Sequence, residues 1–91
     1  MPFDIHHDRA AHRFHTQVDG VGCELDYTLV ASVLTITHTG VPAEVGGRGI
    51  ASALVQAAMD TARSEGLKVV PACSYASVWI KRHPEYLDLC V

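Results

Sequence analysis

Three glycines within four residues, Gly46, Gly47 and Gly49, stand in the stretch VPAEVGGRGIASALVQAA (Val41 to Ala58), directly before good helix-forming sequence. The first turn of a helix leaves its backbone N–H groups without partners. Glycines ahead of it let the chain curl so that those donors converge with no side chain in the way. Such a cradle suits an anion. Hydrogen bonds to a charged group contribute roughly 1.5 to 3 kcal/mol each, against about 0.3 to 1 kcal/mol for the helix dipole, so the oriented donors dominate. Arg48, between two glycines, adds one cationic side chain, whereas Glu44 adds a negative charge that costs about 1 kcal/mol at surface separations in high dielectric. A tight connection without any ligand also accounts for a glycine-rich turn. No Lys-Ser/Thr follows the glycines as in a P-loop, and GGRGIA is not GxGxxG followed by an acidic ribose ligand, so triphosphate and dinucleotide readings both fall.

The other residue types with chemistry are three cysteines and six histidines. His6, His7, His12 and His15 crowd the start of the chain, but no HxxxH helix pair or Cys/His cluster has zinc-site spacing, so no metal site is expected. An odd cysteine count without a CxxC pair, and an N-terminus lacking the apolar core of a signal peptide, point to a reducing cytoplasm.

Periodicity supplies the elements that must position these groups. Residues 1–12 are polar and read as a loosely held arm able to join a sheet edge. RFHTQV (Arg13 to Val18) alternates as a strand with Phe14, Thr16 and Val18 on one side. An Asp-Gly turn follows, and CELDYTLV continues the alternation with Cys23, Leu25, Tyr27 and Leu29 inward, completing a hairpin. SVLTITHTGV (Ser32 to Val41) is β-branched and forms a third antiparallel strand. From Ile50 to Glu65 the period changes: Ile50, Leu54, Ala58 and Ala62 make a helical stripe, Gln56, Asp60 and Arg63 face water, and Gly66 ends the helix. LKVVPAC (Leu67 to Cys73) reads as a short buried strand reached by a right-handed β-α-β crossover, and YASVWIKRH as a second helix stopped by Pro84.

Ninety-one residues make a single domain, 1–91, and 48% hydrophobic with 19% charged residues is an ordinary globular composition. No apolar run approaches the ~18 residues of a membrane span. A formal charge of −3 argues against a general nucleic-acid binder. An exposed edge strand permits dimers without requiring them, so the expectation is a monomer or weak dimer.

With strand, glycine loop, helix, strand and short helix in this order, the chain resembles the GCN5-related N-acetyltransferase (GNAT) superfamily, whose loop reads Gln/Arg-x-x-Gly-x-Gly/Ala. Glu44, Gly47 and Gly49 fall on its three defined positions. HTGVPAEVGGRGIASALV, GLKVVPACSY and RHPEY are further similar to a subfamily of very short members, the YidJ-like or CG-type acetyltransferases, over about Phe14 to Leu89. The resemblance implies an α/β (α+β) mixed sheet, with antiparallel N-terminal strands followed by a β-α-β unit and a short C-terminal helix. It implies acetyl-CoA as ligand, its pyrophosphate received around Val45, Gly46, Gly47, Arg48, Gly49, Ile50 and Ala51. His38, Thr39, Val41 and Cys73 would lie near the acyl end, where two strands diverge. Lys81 and Arg82, with His83, are placed to meet the ribose phosphate or else form a solvated helix end.

Two departures bear on catalysis. Glu44 replaces the usual Gln or Arg, which leaves the main-chain cradle intact. The superfamily's Asn-x-x-Ala-x-x-x-Tyr motif, aligned on Ala76, puts Cys73 at the asparagine and Ile80 at the tyrosine that protonates the leaving thiolate. Tyr75 and Tyr86 are the substitutes for that acid. His38, Glu24 and Glu44 are the candidate bases for direct transfer to an amine. Alternatively Cys73, at a strand end and helix start with His38 on the neighbouring strand, takes the acetyl group first. The competing expectation is an acyl-CoA-binding or sensing module without turnover.

Overall fold

The computed structural model describes residues 3–91. Four antiparallel strands, β1 (His6–Asp8), β2 (Arg13–Val18), β3 (Val21–Val30) and β4 (Val33–Gly40), lie side by side in chain order. Helix α1 (Ile50–Glu65) then carries the chain to β5 (Lys68–Pro71), which pairs parallel with β4. Helix α2 (Ser74–Arg82) and a 3-10 segment, Pro84–Leu89, complete the fold. The antiparallel meander, the β-α-β unit and both helices lie where the periodicity sets them.

Burial follows the strand alternation and the helical stripe. Phe14, Cys23, Leu25, Tyr27, Leu34 and Ile36 line the inner sheet face, and α1 lays Ile50, Ala53, Leu54, Val55, Ala58, Met59 and Ala62 against it. Alanines at 58 and 62 let the helix approach the sheet closely, and Trp79 and Ile80 of α2 join the same cluster. Gly66 adopts the left-handed conformation that terminates α1.

Several boundaries differ from the sequence reading. Residues 6–8 form the edge strand, and the start of the chain is tied down further by Arg9, which reaches Glu65 at the end of α1 with bonds of 2.6 and 3.1 Å. Leu29 keeps the inward parity yet is 41% exposed, because it lies one residue pair from the β3–β4 hairpin tip. β5 stops at Pro71 instead of Cys73, since proline has no N–H to donate to a ladder. The terminal 3-10 segment has no sequence period of its own. Long-range contacts hold it: Tyr86 donates to Asp60 at 2.6 Å, and Arg63 grips Asp88.

Two consecutive residues at the β3–β4 turn, Ala31 (φ 51°) and Ser32 (φ 65°), occupy the left-handed region without being glycine or asparagine. Replacing them with Asn-Gly should raise stability by about 1 to 2 kcal/mol. Urea denaturation should show a higher midpoint with an unchanged slope.

His7 faces inward, stacked on Phe14 at 4.0 Å and sharing a 2.7 Å hydrogen bond with the Tyr27 hydroxyl. Burial and then the Arg9 charge hold its pKa below the ordinary 6.5, outweighing the opposing pull of Glu65 and Asp8. The folded state therefore favours neutral His7. This contribution is present above pH 6.5 and is lost as pH falls through the lower folded value. Unfolding measured from pH 7.5 to 5 should show a smaller acid loss of stability in His7→Asn than in the parent chain.

Candidate functional site

The site begins where two strands part. β4 and β5 are paired from Val33 and Lys68 to Ile36 and Pro71, and no further. There the Ile36 carbonyl accepts from the amides of both Ala72 (3.1 Å) and Cys73 (3.0 Å), which turns the chain out of the sheet and into α2. Among the described residues, residues 37–40 of β4, beyond Ile36, have no strand partner on that side.

A bulge sits at the same point. The β3–β4 register passes from Tyr27 opposite Ile36 to Asp26 opposite His38, so Thr37 is the extra residue. Strict alternation would put His38 on the same face as Leu34 and Ile36. With one residue inserted the parity inverts. Thr39 now faces inward opposite the buried Leu25, and His38 faces outward opposite Asp26.

The consequences are direct. Thr39 Oγ1 lies 3.4 Å from Cys73 Sγ, and the same sulfur caps α2 by accepting the Ala76 amide at 3.4 Å. His38 is on the other face, where its Nε2 meets Glu24 Oε2 at 3.1 Å. The expected partnership of His38 with Cys73 is thus corrected: Thr39 takes that place, because of the bulge. Gly40 matters to the outer pair, since a Cβ there would collide with the Glu24 carboxylate and come within 2.8 Å of His38 Nε2.

Past Gly40 the chain makes a 3-10 turn at Ala43–Val45 and enters α1 through Gly47 and Gly49, with φ of 77° and 83°. These two positions require glycine, whereas Gly46 has a φ of −66°. Gly49 caps α1 without a side-chain bond, and the first amide of the helix to find an internal acceptor is that of Ala53, which donates to Gly49 O. Among the described residues, the amides of Gly47, Arg48, Gly49, Ile50, Ala51 and Ser52 have no acceptor. Those of Val45 and Gly46 are engaged by Pro42 O and Ala43 O at 3.1 Å. The free cradle is therefore displaced toward the helix relative to the expected Val45–Ala51.

Gly46, Gly47, Gly49, Ile50 and Ala51 line a cleft of about 260 Å³ together with Val41 and Tyr75 of α2. Val45 lies in the core at 1% exposure instead of in the cleft. Arg48 points to the β2–β3 turn, where it bonds Asp19 at 2.7 Å. Lys81 and Arg82 are exposed on the last turn of α2 and do not line the cleft. Trp79 fastens α2 to α1 by donating to Ser52 Oγ at 2.8 Å, and His83 stacks on the indole at 3.8 Å.

The two substitute tyrosines separate. Tyr86 is committed to Asp60, and that bond, with burial, pushes its pKa up to about 12. It is a structural anchor, and Ile80, at the family's tyrosine position, is buried in the core. Tyr75 lines the cleft opposite the glycines, 39% exposed. The sequence offers Tyr75 as a candidate acid but not as a cleft wall, because a lone tyrosine on a short helix carries no signal of what it faces. The Ser52 amide was missed, although counting three free donors from a helix start at Ile50 reaches it.

The family model for the GCN5-related N-acetyltransferases matches residues 13–89 of this sequence. The chain belongs to that family. Similar proteins include Protein NATD1 of Gallus gallus and of Homo sapiens. Each is 34% identical over 92 residues, covering 96% of this chain and 84% or 81% of theirs. Protein NATD1 of Xenopus tropicalis is 35% identical over 89 residues, with 92% and 82% coverage. Among solved structures, a GCN5-like protein from Staphylococcus aureus determined by NMR superposes with a TM-score of 0.76 at 28% identity. It covers 97% of this chain and 87% of its own. The five-stranded mixed sheet and its helices are the GNAT architecture.

Among the described residues no group of His, Cys, Asp and Glu could hold a metal, and no helix is long and apolar enough to cross a membrane.

Substituting Gly40→Ala should leave stability within about 1 kcal/mol, because only the ends of the Glu24 and His38 side chains must give way. It should separate Glu24 from His38, seen as a shift of the His38 ring signals in NMR spectra.

Proposed function

We propose that this GNAT chain binds acetyl-CoA and transfers its acetyl group to a primary amine. The observation that carries this reading is the run of six backbone amides without acceptors, Gly47 to Ser52, of which Gly47, Gly49, Ile50 and Ala51 line a cleft with Val41 and Tyr75. Buried or ligand-facing donors are normally satisfied, and a doubly charged pyrophosphate satisfies several at once. Positive φ at Gly47 and Gly49 keeps these amides free of side-chain cover, so the loop fits the group. Gly47 to Ser52 hold the pyrophosphate. Val41 and Tyr75 flank the pantetheine arm, and unpaired β4 backbone at residues 37–40 hydrogen-bonds it. Lys81 and Arg82 are candidates for the ribose phosphate only as screened, long-range charges.

Acetyl-CoA bound there supplies an activated thioester carbonyl. The chain's own residues do the remaining work. On the outer face His38, oriented by Glu24, accepts the amine proton as the amine enters. On the inner face the Thr39 hydroxyl and Cys73 thiol supply the hydrogen bond that the departing thiolate needs, in place of the missing tyrosine. Direct transfer needs no contact between His38 and Cys73. Acylation of Cys73 is the second reading, favoured by the position of its sulfur at the strand parting and by the two polar groups that hold it.

Intact-mass measurement of acetyl transfer to a panel of amines tests this. Glu24→Gln and His38→Gln should each lower kcat by about 100-fold or more while leaving acetyl-CoA affinity unchanged. Saturable acetyl-CoA binding with no acceptor acetylated would instead identify a binding or sensing module. In single turnover, an acetylated protein that disappears in Cys73→Ala would favour the relay through sulfur, and its absence the direct route.

A further inference from the structure

We propose that Trp79 is a positioning residue of the cofactor cleft, holding the helix that carries Tyr75 at a fixed distance from the amides of Gly47 to Ser52. This rests on the acetyl-CoA reading above and adds how its site is kept in shape.

Helix α2 does not fix its own place. It has nine residues, and isolated helices below about 12 to 15 residues are marginal in water, so its seat on α1 must come from side chains. Its buried residues are Ala76, Trp79 and Ile80. Ala76 and Ile80 offer apolar contact, which is non-directional and lets packed helices slide on one another. Trp79 differs. The indole is 4% exposed and its N–H is a donor only, so it needs an acceptor inside the protein. It finds Ser52 Oγ at 2.8 Å.

That bond joins the two sides of the cleft. Tyr75 stands four residues before Trp79, one turn along the same side of α2, so a fixed indole also fixes the tyrosine that lines the cleft. Ser52 lies in the first turn of α1 and carries the last of the six amides without acceptors. The wall and the donor row thus share a directional contact.

The indole is itself held. His83, one turn further on, stacks on it with centroids 3.8 Å apart, and its Nδ1–H donates to the Trp79 carbonyl at 2.8 Å. Tyr86 packs against the indole at 5.4 Å and donates its hydroxyl to Asp60 of α1 at 2.6 Å. Ser52 and Asp60 are about 12 Å apart along α1 at ~1.5 Å per residue. Two anchors that far apart resist rotation, where one would act as a pivot. Losing the Trp79 bond lets α2 drift from the donors, while His38 and Glu24, on the outer sheet face, keep their geometry. The cost therefore falls on cofactor binding and not on the chemical step.

Calorimetric titration with CoA and steady-state acetylation of n-butylamine test this. Trp79→Phe keeps a ring for His83 and loses the N–H, whereas Ser52→Ala loses the acceptor. Each should weaken CoA binding and raise the acetyl-CoA KM by about five- to tenfold, with kcat within about twofold of the parent chain. The double variant should be no weaker than the worse single one, because both remove the same bond. Ser52→Thr keeps a hydroxyl and should bind as the parent does. Ser52→Ala, at a half-buried position, carries the test alone should Trp79→Phe unfold, and calorimetry reads the effect with or without turnover. Folded variants that bind CoA as the parent does, losses that add in the double variant, or a Ser52→Thr chain as weak as Ser52→Ala would overturn the inference while the acetyl-CoA reading stands. A parent chain that binds no CoA sinks both.

Discussion

Everything at this site depends on a ladder that stops. Parallel pairing between β4 and β5 ends at Ile36 and Pro71, and the reason is local: Pro71 has no N–H, and Ile36 O is taken by two successive amides as the chain turns into α2. The unpaired remainder of β4, residues 37–40, is left with backbone groups that must find partners elsewhere. Most proteins cover such an edge. Here the same stretch leads through Val41, which lines the cleft, into a glycine loop whose amides from Gly47 onward are also without acceptors. A ligand with an amide-bearing arm and an anionic head answers both.

The bulge at Thr37 adds a division of labour between sheet faces. It sends Thr39 inward to Cys73 and His38 outward to Glu24. On the proposed reading, the leaving-group side of the reaction lies on the covered face and the amine side on the bare one. The two meet only through the gap that β5 leaves open. Such an arrangement keeps the proton acceptor away from the thiol, whereas a single face would bring both together. Arg48 fits the same economy of charge: Asp19 holds it over the β2–β3 turn, which leaves main-chain donors as the groups for the proposed anion.

Much of this was legible in the sequence, and the limits have physical causes. The helix from Ile50 to Glu65, the Asp-Gly hairpin and the crossover follow from periods and turn residues, which are local properties. Gly47 and Gly49 announce positive φ for the same reason. The bulge does not, because VLTITHTG alternates smoothly and the extra residue exists only relative to β3. The sequence therefore sets His38 beside Cys73, whereas its pairing with Glu24, fourteen residues away, depends on register. Likewise Tyr86 reads as a free hydroxyl until Asp60 of α1 is brought beside it. Tyr75, a candidate from the sequence, faces the glycines through packing of α2 on α1, where Trp79 donates to Ser52, a contact that no short-range pattern encodes.

The account stands or falls on the six unpaired amides. Two-dimensional NMR of the nitrogen-labelled protein, titrated with CoA, reads them one by one. The signals of Gly47, Arg48, Gly49, Ile50, Ala51 and Ser52 should move saturably and further than those of Val45 and Gly46, whose amides already have acceptors. Titration that leaves these six signals in place, or that moves only residues remote from the glycine loop, would contradict it.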